Sequence, residues 1–199
     1  MREHEAQLSP ADRLELVDTI CDEAARLDRL VVNLLDMTRL EAGPLVVRRE
    51  WVPVDEVVGS ALARVEARTG ARRISVEVPA ELPLISVDAV LLEHALVNLL
   101  DNALKHTPPG APIDVTARTR DGAVVLEVAD RGPGLPPDPE RLFEKFVRDA
   151  AAGVEGAGLG LAIARGIARA HGGDVSAAPR DGGGARFSLV VPSLGAPPA

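Results

Sequence analysis

The chain has 199 residues with 22 Lys+Arg against 30 Asp+Glu, a formal net charge of −8. That is enough for one ordinary domain plus an appendage, and an acidic chain without a basic aromatic stripe is poorly suited to hold nucleic acid. Hydrophobic residues make up 46% but aromatics only 2%, with no tyrosine, so a core must be built from Leu, Val, Ile and Ala.

The first element predicted is a long helix. Ser9 caps it, Pro10 suits its first turn and Asp12 complements its dipole. Val17, Ile20, Ala24, Leu27, Val31 and Leu34 then recur three and four residues apart, a heptad seam running to Glu41 and ending at Gly43-Pro44. Leu30, Leu35 and Met37 widen the stripe, which favours a helical hairpin or bundle over a two-stranded coil. Cys21, the only cysteine, excludes an intramolecular disulfide and a cysteine zinc site. Its place among helix-spaced apolar residues predicts a buried or half-buried side chain. No apolar run approaches the roughly 20 residues of a bilayer span, and the charged start is not a signal peptide; the chain reads as cytosolic.

Gly43-Pro44 divides 1–43 from a domain over 44–193, with 194–199 as a frayed tail. In that domain the pattern predicts a strand at Leu45–Val52, a helix at Val54–Arg68, a strand at Arg73–Val78 and a short extended piece at Ile85–Val87. A helix follows over Ala89–His106. Ile113–Arg120 and Ala123–Ala129 form a hairpin across Asp121-Gly122. Residues 131–157 are rich in Gly and Pro and lack periodicity, as functional or mobile connections do. A helix over Gly158–His171 and a strand pair, Asp174–Ala178 and Ala185–Val191, complete the chain.

Four segments carry chemistry. On the helix EHALVNLLDNALKHT (93–107), His94, Asn98, Asn102 and Lys105 fall near one face, while Leu92, Leu96, Leu99 and Ala103 face a sheet. Amide oxygens can join a magnesium shell without adding charge, and an ammonium neutralises phosphate oxygens; alone, such a face is more often a polar surface stripe. Asp130-Arg131-Gly132-Pro133-Gly134 places a carboxylate at a strand end, able to accept from an exocyclic amine, before two glycines that let backbone approach a flat ligand; alone it is also an ordinary turn. Gly156-Ala157-Gly158-Leu159-Gly160-Leu161 opens a helix with glycine-flanked N–H groups, a phosphate cradle or a flexible loop. Phe143 and Phe146, in FEKF, suggest a loop folded onto an apolar surface, or a short helix anchoring it.

The order and spacing of these segments are specific. From Leu45 to Pro192 the chain resembles the ATP-binding catalytic domain of bacterial sensor histidine kinases, in the superfamily shared with gyrase, Hsp90 and MutL. LLDMTRLEAG (34–43) resembles the end of the second dimerisation helix of such kinases. LLDMTRLEAG, NLLDNALKHTPPG and IARGIARAHGG are most similar to the KdpD type, the potassium- and turgor-responsive sensors. The resemblance implies an α+β fold: a two-layer α/β sandwich of Bergerat type, a mixed sheet under three helices preceded by one long helix.

It further implies Mg²⁺ on Asn102, phosphate on Lys105 and the adenine amine on Asp130, with Gly132 and Gly134 making room for the ring. Phe143 and Phe146 would seat a lid, Gly156, Gly158 and Gly160, with Leu159 among them, would border the phosphates, and Arg148 would reach the γ-phosphate. Asn98 stands where hydrolysing relatives carry a glutamate that activates water; an amide cannot take that proton, so phosphotransfer with little hydrolysis is expected.

Three departures accompany the resemblance. Val147 replaces an aromatic and Ala157 a hydroxyl residue. The phosphoacceptor histidine is not apparent: for His4-Glu5 the proline, Pro10, is six residues on where the motif has five. The chain reads as beginning in or just before the second hairpin helix, the cytoplasmic portion of a membrane-anchored kinase. Its implied partners are ATP, a response regulator and the parent's phosphoacceptor helix, with weak self-association through 11–41. A protein serine kinase similar to anti-sigma factors, and a non-catalytic nucleotide-responsive module, are the alternatives.

Overall fold

The computed structural model describes residues 9–41, 43, 45–147 and 157–193. Helix α1 spans Pro10–Glu41. Ser9 and Asp12 cap it reciprocally: the Asp12 N–H donates to Ser9 Oγ (3.1 Å) and the Ser9 N–H to the Asp12 carboxylate (3.0 Å). Most of its apolar seam is exposed, Ile20 at 65% and Leu27 at 60%. Among the described residues its last turns pack on the rest of the chain. Met37 is buried there, and Leu40 lies against Gly166, where a Cβ would stand 2.7 Å from Leu40 Cδ1. Cys21, expected to be covered, is exposed, as are Ile20 and Leu27 on the same stretch of α1.

The other elements are β1 (Glu50–Val52), α2 (Val54–Thr69), β2 (Ile74–Glu77), β3 (Ile85–Val87), α3 (Ala89–His106), β4 (Ile113–Arg120), β5 (Ala123–Ala129), α4 (Gly160–Ala170), β6 (Asp174–Pro179) and β7 (Ala185–Pro192), with a 3₁₀ turn at Pro139–Phe143. The main sheet has the order β2-β4-β5-β7-β6, with β2 parallel to β4 and the other pairs antiparallel. β1 and β3 form a separate antiparallel pair. The strand expected at Leu45–Val52 shrinks to three residues because β3 offers only Ile85–Val87 to pair with.

The β4–β5 turn is Asp121-Gly122, with φ of 51° and 75°, the two positive values a tight type I′ connection needs. Val124, Leu126 and Val128 of β5 are fully buried, as are Leu189 and Val191 of β7. They join one core with Val57, Val58, Ala61 and Val65 of α2, Leu92, Leu96, Leu99 and Ala103 of α3, and Ile163 and Ile167 of α4. On β5, Glu127 alternates with these residues and so points to the opposite side of the sheet. Arg118 holds both of its carboxylate oxygens and Ser188 Oγ donates at 2.8 Å. The hydrogen bonds from Arg118 outweigh burial and keep this carboxyl below its ordinary range.

His171, just past α4, ties the helices together. It is 1% exposed. Its Nδ1–H donates to the Ile167 carbonyl (2.8 Å), so its Nε2 accepts from the Asp88 N–H (3.0 Å). Asp88 in turn caps α3 by accepting from the Leu91 N–H (3.2 Å). Arg49 donates to the carbonyls of Ser86 (2.7 Å) and His171 (3.2 Å). The start of α3 and the end of α4 are therefore bolted to one another.

Candidate functional site

The polar face of α3 is the floor of the site. The Asp130–Gly134 turn crosses its C-terminal end. A Cβ on Gly132 would stand 2.7 Å from the His106 carbonyl oxygen, so backbone lies directly on backbone. Two turns earlier, the start of α4 meets the same face: a Cβ on Gly160 would stand 3.0 Å from Asn98 Oδ1. Asn98 and His106 are about 12 Å apart along the axis at 1.5 Å per residue. Asn102 lies midway between them, partly exposed, with Lys105 exposed beyond it.

Asp130 is 2% exposed. Its Oδ1 accepts from the N–H groups of Gly132 (2.7 Å) and Ala185 (3.2 Å), and neither bond uses Oδ2. A carboxylate held through one oxygen keeps the other to receive a donor from a ligand. Gly134 has φ of 92°, and its missing Cβ leaves no contact closer than 3.8 Å.

At the other end, Asn98 is buried, and its Nδ2 has no partner among the described residues. A buried amide donor without an acceptor is costly, and here it lies beside the N-terminus of α4. Gly158, with φ of 68°, cannot join that helix; a Cβ there would stand 2.6 Å from the Val147 carbonyl oxygen. Thus α4, expected from Gly158 to His171, runs from Gly160 to Ala170. Leu159 has its side chain in the core, 4% exposed, so only its main chain borders the mouth.

The two phenylalanines part company. Phe143 is buried, with the Arg165 guanidinium 4.7 Å from its ring centroid. Arg165 is itself paired with Glu140 (2.6 Å) and Asp174 (2.8 Å). Burial works to raise the Asp174 carboxyl, but hydrogen bonds from Arg165, the Val175 N–H and Arg169 hold it at about 2. Phe146, expected to fold onto an apolar surface, is 66% exposed with φ of 62°. Its N–H donates to the Gly158 carbonyl (3.0 Å), a backbone tie that turns the ring outward. His94, on the same stripe as Asn98, serves α1 instead: its Nδ1 lies 2.6 Å from Asp36 Oδ2. Arg148 and Gly156 lie outside the described residues.

Residues 87–195 match the family model of the histidine kinase-, DNA gyrase B-, and HSP90-like ATPases. The chain belongs to that family. It is 44% identical to the sensor protein KdpD of Escherichia coli over 171 residues, 85% of this chain and 19% of that protein. It is 34% identical to the sensor-like histidine kinase SenX3 of Mycobacterium tuberculosis, over 96% of this chain and 48% of SenX3. The chain therefore spans from a fifth to half of these relatives. Among solved structures, a full-length ShkA in complex with AMPPNP aligns with a TM-score of 0.78 and 31% identity, covering 98% of this chain and 42% of that one. The mycobacterial sensor histidine kinase MprB aligns with a TM-score of 0.65 and 33% identity, covering 73% and 97%. Among the described residues no helix is long and apolar enough to cross a membrane.

Proposed function

We propose that this chain binds Mg·ATP on the polar face of α3 and is the catalytic domain of a two-component sensor histidine kinase, donating the γ-phosphoryl group to a histidine outside the chain. The observation that carries the reading is the convergence on one helix face of a buried carboxylate with one oxygen spare, Asp130, and a glycine-lined helix start beside Asn98. Asp130 Oδ2 accepts from the adenine amine, and the start of α4 takes the phosphates. The orphaned Asn98 Nδ2 suits a phosphate or metal-bound water oxygen, and Asn102 supplies the magnesium with an uncharged amide oxygen. When bound, the ion neutralises phosphate charge and orients the polyphosphate. Lys105 completes the neutralisation, with Arg148 as a candidate for the γ-phosphate. Residues 1–43 form the end of the dimerisation hairpin and 44–193 the nucleotide domain; the response regulator is a partner of the whole kinase.

In the transfer, an imidazole nitrogen bonds to the γ-phosphorus as the bridging oxygen bond breaks, ADP leaves and the ring loses its proton. Asn98, an amide, cannot take a proton from water. Steady-state phosphate release should therefore be close to background. A hairpin carrying the phosphoacceptor histidine, added in trans, should become labelled from γ-labelled ATP. Brisk phosphate release by the pure chain would contradict the assignment.

A further inference from the structure

The turn between β6 and β7 does more than reverse the chain. Gly184 lies so close to Asp130 that a Cβ on it would stand 2.1 Å from the Asp130 carbonyl oxygen. Asp130 and Ala185 exchange hydrogen bonds: the Asp130 N–H donates to the Ala185 carbonyl (2.8 Å), and the Ala185 N–H donates to Asp130 Oδ1 (3.2 Å). Two arginines then tie the turn to the motif from both sides. Arg131 donates to the carbonyls of Asp181 (2.9 Å) and Gly183 (3.2 Å). Arg180 reaches the other way, and its Nη1 donates to the carbonyls of Ala129 (3.0 Å) and Asp130 (3.2 Å). Its Nη2 is paired with Asp114, across the sheet on β4. The Arg180 side chain is only 15% exposed.

We propose that Arg180, anchored by Asp114, is a positioning residue that sets nucleobase specificity by holding Asp130 in place for the adenine amine. This rests on the reading of Asp130 given above. A guanidinium is a rigid fork. With one nitrogen on Asp114 and the other on two carbonyls at the end of β5, it fixes the one residue whose side chain must meet the base. Arg180 acts through the end of β5 that it binds, so its loss should loosen recognition of the base and leave the phosphate end alone.

The test is the ratio of affinities for the β,γ-imido triphosphates of adenosine and inosine, measured by calorimetry with Mg²⁺. Inosine carries a carbonyl where adenine has its amine, so a hydrogen bond to the carboxylate is worth about 10- to 100-fold in the wild-type ratio. Asp130→Asn should abolish or invert that preference. Arg180→Ala should reduce it about fivefold or more, Asp114→Asn should reduce it less, and Arg180→Ala should add nothing in the Asp130→Asn background. Inosine-nucleotide affinity should be nearly unchanged in Arg180→Ala and Asp114→Asn, which general loosening of the fold would not produce. A wild-type ratio in folded Arg180→Ala would overturn the proposal. If that variant does not fold, a wild-type ratio in Asp114→Asn overturns it. If Asp130→Asn itself leaves the ratio unmoved, the reading of the nucleotide site fails instead.

Discussion

Replacing Gly132 by alanine adds one carbon at a tight point of the site. That Cβ would stand 2.7 Å from the His106 carbonyl oxygen and 3.0 Å from Asp130 Oδ1. Ordinary carbon–oxygen contacts begin at about 3.3 Å, so the deficit is about 0.6 Å against backbone, which cannot swing aside. The end of α3 is the stiffer partner. The Thr107 N–H donates to the Ala103 carbonyl (2.9 Å), and Arg72 donates twice to the Thr107 carbonyl (3.1 and 3.0 Å). The 131–134 turn must therefore lift, and with it the Gly132 N–H that holds Asp130 Oδ1 at 2.7 Å. Overpacking of this kind costs about 1–3 kcal/mol, which in a chain of this size lowers Tm by about 2–12 °C. Displacement of Asp130 should also weaken binding of a non-hydrolysable ATP analogue by about 5- to 150-fold. Calorimetry and thermal melts on one preparation separate the two effects. Lowered stability with wild-type affinity would refute the claim that this turn positions Asp130; no change in either would refute the close contact itself.

Three further predictions concern the frame. Gly59 lies inside α2 with nothing within 4 Å of a built Cβ, so Gly59→Ala should raise stability by about 0.5–1 kcal/mol in urea titrations. Burial holds His171 below its ordinary value of 6.5, the hydrogen bond to Ile167 opposing. The unfolded chain thus takes up the proton first, and the His171 contribution is complete above about pH 6.5 and lost as pH falls below it. Melts at pH 7.5 and 5.5 should show a drop that is smaller in His171→Gln. Phe143→Ala, which empties a buried site under Arg165, should cost about 3–5 kcal/mol, whereas Phe146→Ala should change stability by no more than about 0.5 kcal/mol.

The parts legible in the sequence were those written in local periodicity. α3 runs from Ala89 to His106 as its apolar spacing indicates, and Asp121-Gly122 makes the hairpin its dipeptide predicts. What local pattern could not carry was contact between distant segments. Asp130 was recognisable as an acceptor, but the Ala185 N–H and the Arg180 guanidinium that hold it come from 50 or more residues away. Cys21 and the seam of α1 were read from a helical stripe that implies a partner without saying whether this chain supplies it. A phenylalanine in FEKF implies a hydrophobic anchor, whereas the left-handed backbone of Phe146 and its tie to Gly158 turn it outward. The close packing of Gly132 on His106 has one signal in the sequence, the glycine itself, which equally suits an approach to a ligand.

The proposed Mg·ATP site at Asp130 and the α3 face is tested most directly by calorimetric titration of a non-hydrolysable ATP analogue, with and without Mg²⁺, on the wild type and on Asp130→Asn. Binding should be strengthened by Mg²⁺ and weakened by Asp130→Asn by about tenfold or more. Absence of binding at millimolar analogue, or binding indifferent to Asp130, would contradict the proposed site.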